Sequence, residues 1–237
     1  MEDLTLLTTT GARPEAWAIC ETLMQRQTFK GAVRWIIVDD GKDTQPISFL
    51  KDNWTLEIVR PVPFWKPGEN TQARNILEGL KRVKKENWLV VIEDDDWYHS
   101  DYLQTMYGYL SSFDIVGEAP AAYFNVSTGR GKILDNREHA GLCSTAMKGA
   151  AIECLRLSAK SNHKFIDIYL WKWFKGSKKL FKSCLVIGIK GIPGRRGIGS
   201  GHRETFGEPM DLFNLIWEDI KIYKKWIPNY NELSHAA

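Results

Sequence analysis

Short apolar runs alternate with longer amphipathic segments over the first hundred residues of the chain. The apolar runs have the length and composition of buried strands, and the segments between them carry apolar residues at the spacing of one helix face. The predicted strands are residues 4–8, 33–38, 55–59 and 88–92, and the predicted helices are residues 15–25 and 70–85. Because helical crossovers join parallel strands, this alternation predicts an α/β fold with a mostly parallel sheet.

Shorter elements follow in the rest of the chain. Strands are predicted at residues 115–117, 122–126 and 185–189, and helices at residues 102–111, 150–157, 165–174 and 210–226. A length of 237 residues with 43% hydrophobic residues suits one domain of generous size, or a nucleotide-binding half fused to a substrate half.

Four consecutive acids, Glu93 to Asp96, directly follow the fourth predicted strand. Carboxylates at a strand end offer hard oxygen ligands, which suit Mg²⁺ or Mn²⁺ bridging to substrate phosphates. Because side chains alternate along a strand, Glu93 and Asp95 are expected on one face and Asp94 and Asp96 on the other. A solvated acidic turn is the alternative. The apolar strand before the acids and the aromatic residues after them favour a site.

Polar residues also follow the first two predicted strands. The first strand leads into Thr9-Thr10-Gly11-Ala12-Arg13-Pro14, and the second ends in Asp39-Asp40-Gly41. Ligands of α/β proteins bind outside the carboxyl ends of the strands, where helix N-termini and acids meet phosphate, ribose or base. Arg74, near the start of a predicted helix, could reach the same nucleotide. The structural alternatives are a helix N-cap, an Asp-Gly turn and a solvated arginine.

Two motifs in the second half are candidates for chemistry. Asp167 is the single acid of the aromatic stretch 165–174, and burial can tune such an acid as a general base; a helix N-cap is the alternative. Residues 190–202 contain five glycines and can fold over a ligand. In this loop Arg195 and Arg196 suit phosphates, and His202 suits a metal. A surface loop is the alternative.

A lysine-rich, aromatic segment lies between these two motifs. Its members are Lys172, Lys175, Lys178, Lys179 and Lys182 with Trp171, Trp173, Phe174 and Phe181. Such a segment is either a solvated face or a surface that binds polyanions. A net charge of +3 is too small to argue for nucleic acid by itself.

Cysteine usage and hydropathy indicate a cytoplasmic protein. The four cysteines are widely spaced without a CxxC pair, which favours free thiols in a reducing compartment. No apolar run approaches the ~18 residues of a membrane span, and no signal peptide precedes Thr5, so no transmembrane segment is expected. The sequence has no GxGxxG and no GxxxxGK[ST], which argues against a Rossmann dehydrogenase and a P-loop NTPase.

Five motifs together resemble a GT-A glycosyltransferase, and family 2 of the nucleotide-sugar-dependent enzymes is the most similar family. They are TTTGARP, IIVDDG, N…ARN, EDDDWY and the glycine-rich loop ending in His202, and they cover roughly residues 4–203. The resemblance implies a GT-A, Rossmann-like fold with a mostly parallel central sheet flanked by helices and a smaller acceptor-side sheet. It also implies one domain over residues 1–237, with a nucleotide-sugar half at 1–100 and an acceptor half at 101–237.

The resemblance further implies roles for individual residues. Nucleotide contacts are expected at Thr8, Thr10, Arg13, Asp39 and Asp40. The DxD-type motif is Asp94-Asp95-Asp96 or, in the other register, Glu93-Asp94-Asp95, with Mn²⁺ or Mg²⁺ on the donor diphosphate held by Asp94, Asp96 and His202. Arg195 and Arg196 would steady the leaving diphosphate.

The same resemblance implies the reaction. Asp167 would deprotonate the acceptor hydroxyl, although the family motif usually carries Glu-Asp where Ile166 precedes Asp167 here. Members of the family typically invert the anomeric centre, and a UDP-sugar is their commonest donor. A nucleotidyltransferase and a non-enzymatic nucleic-acid-binding protein using residues 171–182 are the alternatives. The acceptor stays open, with modified bases in DNA or another polyanion set against a small or lipid-linked molecule.

Overall fold

The computed structural model describes residues 3–161, 164–195, 197, 200–210, 216 and 219–227. The strands are β1 (Leu4–Thr10), β2 (Val33–Asp39), β3 (Trp54–Val59), β4 (Trp88–Glu93), β5 (Trp97–Tyr98), β6 (Ile115–Glu118), β7 (Ala121–Asn125), β8 (Arg130–Leu134), β9 (Thr145–Lys148), β10 (Lys178–Phe181), β11 (Val186–Lys190) and β12 (Glu208–Pro209). The α-helices are α1 (Pro14–Gln25), α2 (Gln72–Leu80), α3 (Tyr102–Leu110), α4 (Ala150–Ser161), α5 (Ile166–Trp173) and α6 (Ile220–Tyr223). Short 3₁₀ turns lie at Leu142–Ser144 and Ser200–His202.

The larger sheet has seven strands in the order β10-β6-β9-β4-β1-β2-β3. Strands β3, β2, β1 and β4 are parallel, whereas β9 is antiparallel to both of its neighbours. The predicted α/β fold with a mostly parallel sheet is confirmed. Because Thr9 pairs with Glu93 and Thr10 with Asp39, the ends of β1, β2 and β4 lie side by side.

Apolar side chains cover both faces of the larger sheet. On β1, Leu6 belongs to one buried cluster with Trp17 and Trp35, and its neighbour Leu7 belongs to a second cluster with Leu80. Successive strand residues point to opposite faces, so a sheet buried on both sides needs continuously apolar strands. This is why β1, β2 and β4 could be recognised from their apolar runs, whereas β3 at the sheet edge is only partly buried.

The smaller sheet has five strands in the order β12-β8-β7-β11-β5. Strand β5 directly follows the acidic residues and pairs antiparallel with β11, with Trp97 opposite Ile187. This pairing brings the last residue of β11, Lys190, beside the acids. The second sheet implied by the resemblance is therefore present.

Several elements differ from the predictions. Helix α2 is shorter than the predicted 70–85, because the chain tightens after Leu80 into turns in which the amides of Arg82 and Val83 bond three residues back. Strands β9 and β10 were not predicted; the lysines of β10 suit its place at the edge of the sheet. Of the predicted helix at 210–226, residues 211–215, 217 and 218 lie outside the described residues, and α6 covers only Ile220–Tyr223. Among the residues described, no helix is long and apolar enough to cross a membrane.

Candidate active site

A cavity of about 240 Å³ opens at the carboxyl ends of β1, β4 and β11. The predicted site residues that line it are Thr10, Arg13, Asp94, Asp95, Asp167, Arg195 and His202. The predicted residues that do not line it are Thr8, Asp39, Asp40, Arg74 and Asp96, and Arg196 lies outside the described residues. The fold therefore gathers candidates from both halves of the sequence around one cavity.

Arg13 links the end of β1 to the acids at the end of β4. Its guanidinium donates from Nη1 to Asp94 Oδ1 (2.8 Å) and from Nη2 to Asp95 Oδ2 (2.6 Å). Thr10 Oγ1 donates to the other oxygen of Asp94 at 2.7 Å. Thr8 lies deeper, where its hydroxyl accepts a hydrogen bond from Trp35 Nε1 at 2.9 Å. Thr10 and Arg13 thus hold two carboxylates in the wall of the cavity.

A strained turn places Arg13. Gly11 has φ +139° and Ala12 has φ +55°, and Pro14 then begins α1. A Cβ at Gly11 would lie 2.3 Å from Asp40 Oδ1, so only glycine allows this close approach of the turns after β1 and β2. Because α1 begins at Pro14, directly after Arg13, the helix start keeps Arg13 next to the acids.

The four acids do not alternate as predicted. Strand β4 ends at Glu93, and residues 94–96 form a turn. Glu93, Asp94 and Asp95 therefore line the cavity together, whereas Asp96 is fully buried behind them. The prediction that Asp94 and Asp96 share a face was wrong, because strand periodicity ends where the chain turns.

Lys190 neutralises part of this cluster. Its ammonium lies 2.8 Å from Asp96 Oδ1 and 3.5 Å from Asp95 Oδ2, and the backbone N–H of Ile189 donates to the same Asp96 oxygen at 2.9 Å. The other oxygen, Asp96 Oδ2, is buried without a hydrogen-bond partner among the residues that the structure describes. In the sequence Lys190 is only the first residue of the glycine-rich segment 190–202, and the pattern predicts no role for it. Its place at the end of a continuously apolar strand was the signal that could have identified it.

The acids differ in how readily they ionise. Burial, opposed by Lys190, raises the pKa of Glu93 to about 8 and the pKa of Asp96 to about 6. Burial acts in the same direction on Asp95, but Arg13 and Lys190 outweigh it and bring the pKa of Asp95 well below its ordinary value. At neutral pH Asp95 is therefore fully ionised, whereas Glu93 is mostly protonated.

Asp40 ties the glycine-rich loop to the end of β2. Its buried carboxylate accepts hydrogen bonds from Arg195 Nη1 at 2.7 Å, from Arg74 Nη2 at 2.9 Å and from the Thr71 hydroxyl. The guanidinium of Arg195 also lies over the ring of Trp65, 5.0 Å from its centre. These contacts hold Arg195 at the rim of the cavity.

Asp39 holds the turn after β2. Its two oxygens accept the backbone N–H groups of Gly41 and Gln45, each at 3.0 Å, and it also pairs with Arg60. This arrangement fixes the shape of the loop at the sheet edge. Contact of Asp39 or Asp40 with a base or ribose stays a prediction.

Asp167 and His202, from the second half of the chain, also line the cavity. Asp167 lies in the first turn of α5, and its Oδ1 accepts the N–H of Ile168 at 2.9 Å. Burial raises the pKa of Asp167, with a smaller opposing effect from His139. His202 lies in a 3₁₀ turn, where a Cβ at Gly197 would come within 2.6 Å of its Nε2. Asp167 is thus placed to accept a proton from a group in the cavity.

Three residues beside the cavity have metal-ligand spacing. One ligand atom each from Glu93, Asp96 and Cys143 lie within 4.8 Å of one another. Lys190 also reaches this group through Asp96. The acidic end of the cavity is therefore compatible with a divalent cation, either beside these three residues or beside Asp94 and Asp95.

Most of the aromatic residues in the lysine-rich segment are buried in the protein core. Trp171, Phe174 and Phe181 are buried, and Trp171 Nε1 donates to Thr145 Oγ1 at 3.2 Å. The ammonium of Lys178 donates to the Trp171 carbonyl. Trp173, by contrast, stays exposed.

The family model for glycosyl transferase family 2 matches residues 18–143. This range is more than half of the chain and contains the ends of β2 and β4. The chain therefore belongs to glycosyltransferase family 2 and has the GT-A fold. This membership favours glycosyl transfer over the nucleotidyltransferase and the non-enzymatic alternatives.

Solved structures of S. aureus TarS share this fold at low sequence identity. One TarS structure matches with a TM-score of 0.56 and 10% identity, over 80% of this chain and 37% of that chain. TarS 1–349 in complex with UDP-GlcNAc matches with a TM-score of 0.52 and 10% identity, over 94% of this chain and 71% of that chain. The UDP complex of TarS 1–349 matches with a TM-score of 0.52 and 7% identity, over 78% of this chain and 60% of that chain. The match thus spans little more than a third of the first TarS chain. A search of curated protein sequences found no match.

Proposed function

We propose that the protein transfers a sugar from a nucleoside-diphosphate donor to a hydroxyl group of an acceptor. The observation that carries this proposal is the single cavity in which Arg13, Arg195, ionised Asp95 and the candidate base Asp167 meet. A UDP-sugar is the first donor to test, because TarS has been crystallised with UDP and with UDP-GlcNAc.

The donor would bind at the ends of β1, β2 and β4. Arg195 would bind the diphosphate oxygens, since a planar guanidinium matches phosphate geometry. Thr10 and Arg13 would position Asp94 and Asp95 beside them, a role that their hydrogen bonds support. The other residues that we assign to the nucleotide side are Thr8, Asp39, Asp40, Arg74 and Arg196.

A divalent cation, Mn²⁺ or Mg²⁺, suits the acidic end of the cavity. Asp94, Asp95 and His202 line that end, and Asp95 Oδ1 accepts no hydrogen bond from the residues described, so hard oxygen and imidazole donors are on hand. When bound, such an ion supplies charge neutralisation to the leaving diphosphate. Asp96 lies behind Asp95, where its pairing with Lys190 positions the turn.

Asp167 would act on the acceptor. A carboxylate within hydrogen-bond reach of a hydroxyl can take its proton as the oxygen attacks the sugar. Direct attack on the side opposite to the diphosphate inverts the anomeric centre. The loop that Arg195 anchors would exclude water, which otherwise hydrolyses the donor.

Four cysteines without a disulfide, three of them buried, support a reducing compartment such as the cytoplasm.

A thermal-shift panel of UDP-, GDP-, TDP- and CMP-sugars, each with and without Mn²⁺, tests the proposal. A donor at ~100 times its Kd adds about 2.7 kcal/mol of stability, or roughly 5–11 °C for a domain of this size. We expect one donor to shift the melting temperature in a metal-dependent way and Asp95→Asn to lose the metal-dependent part. Exposed Asp52 offers the matched control, Asp52→Asn. No shift with any donor would refute the proposal.

A further inference from the structure

The outward side of α5 is apolar although it is not packed in the core. Phe165, Ile168, Tyr169, Lys172 and Trp173 recur at the three- and four-residue spacing of one helix side, and we call them the α5 stripe. The exposed fractions of Phe165, Ile168 and Trp173 are 46%, 38% and 38%. A surface helix normally directs polar residues outward, and contiguous exposed apolar residues mark an interaction surface.

The aromatic rings of the α5 stripe lie close to one another and to an amine. Tyr169 and Trp173 contact each other with ring centres 5.0 Å apart. The ammonium of Lys164 lies 5.4 Å over the ring of Phe165. Aromatic faces and amines therefore alternate along this side of the helix.

The segment that contains the α5 stripe is rich in positive charge. Residues 164–182 contain six lysines and one acid, Asp167, which lines the cavity. Lys172 and Lys175 are exposed, and in the part of the chain that the structure describes neither lies within ion-pair distance of an acid; Lys175 Nζ donates only to the Lys172 carbonyl, at 3.0 Å. A polyanion would supply the missing counter-charge.

The α5 stripe begins at the rim of the candidate active site. Lys164, Ile166 and Asp167 line the cavity, and Phe165 lies between them in the chain. A polymer lying on the stripe would thus run directly to the candidate base.

We propose that the α5 stripe docks a single-stranded or locally unpaired nucleic acid, which is the acceptor of the glycosyl transfer. This inference rests on the proposed function. Bases would stack on Tyr169 and Trp173, and phosphates would lie near Lys172 and Lys175, the combination by which proteins bind unpaired strands. Duplex DNA offers no exposed base faces for such stacking, and a neutral glycan leaves the lysines without counter-charge.

Fluorescence anisotropy with a fluorescein-labelled, mixed-sequence single-stranded DNA of about 20 nucleotides tests the docking. We expect binding that weakens with salt, and a roughly tenfold or greater loss of affinity in Trp173→Ala, because one base–aromatic stack contributes that much. Trp173→Phe should retain most of the affinity. Lys172→Glu should weaken binding and flatten its dependence on salt.

Leu50→Ala and Lys30→Glu are matched controls. Leu50 is 83% exposed and Lys30 is exposed, and their neighbours Phe49 and Phe29 belong to the buried cluster on the other face of the larger sheet. Equal weakening by these controls would overturn the inference. So would equal affinity for heparin, or a homodimer that dissociates in Trp173→Ala.

The shift in melting temperature that a donor causes, measured on the same samples, separates the docking inference from the proposed function. A UDP-GlcNAc shift without DNA binding would overturn the docking inference and leave the proposed function standing. DNA binding that depends on Trp173, without a shift by any donor, would refute the proposed function and with it the acceptor role. Trp173→Ala should keep the donor shift of the wild-type protein, because Trp173 does not line the cavity.

Discussion

Replacement of Lys190 by methionine should destabilise the protein strongly at pH 8 and less at pH 5. The buried ammonium lies 2.8 Å from Asp96 and 3.5 Å from Asp95, so methionine would leave two buried carboxylates without this partner. Loss of one member of a buried ion pair typically costs about 3–5 kcal/mol. We expect about 3 kcal/mol at pH 8, or a fall in melting temperature of roughly 6–12 °C.

The pH dependence follows from the acids rather than from the lysine. The pKa of Lys190 is raised well above its ordinary value, since Asp95 and Asp96 outweigh burial, so the stability that its charge contributes is present at pH 5 and pH 8 alike. The pKa of Asp96 is raised to about 6 in the folded protein, so folding takes up a proton and stability rises as the pH falls through 6. Without Lys190 this pKa rises further, and protonation at pH 5 relieves the uncompensated charge.

Urea unfolding, followed by tryptophan fluorescence with EDTA present, measures the loss of unfolding free energy at pH 5 and at pH 8. Lys178→Met is the control, because Lys178 is exposed and its ammonium bonds a backbone carbonyl. The double variant Lys190→Met/Asp96→Asn should recover much of the loss at pH 8, since it removes both charges of the closest pair. A loss below about 1 kcal/mol at pH 8, or an equal loss at both pH values, would refute the reasoning.

Three further predictions concern the cavity and its loops. Gly11→Ala should destabilise the protein by about 2–3 kcal/mol in urea unfolding, because φ +139° is strained for alanine and its Cβ would meet Asp40; Gly108→Ala, in a helix with open space, should be neutral or stabilising. Asp167→Asn should lower kcat at least 100-fold and leave the donor thermal shift intact, and an unchanged kcat would remove Asp167 as the base. Arg195→Gln should weaken donor binding in the same thermal-shift assay by about tenfold, and unaltered binding would show that Arg195 only anchors its loop.

The strands and the ends of the strands were predictable because they depend on local pattern. Continuous apolar runs mark β1, β2 and β4, which are buried on both faces, and the polar residues after them had to lie at one edge of a parallel sheet. Strand β10 was missed because lysines suit both a solvated face and an edge strand.

The α/β fold, the acidic strand end and most of the candidate residues around the cavity could be predicted from the amino-acid sequence, since they depend on periodicity and on the residues at strand ends. That Asp95 faces the cavity and Asp96 lies behind it depends on long-range packing, which the sequence pattern does not specify. The turn after Glu93 and the pairing of β5 with β11 place these side chains, and that pairing joins residues about ninety positions apart. It also brings Lys190 to the acids, which no local pattern in either segment specifies.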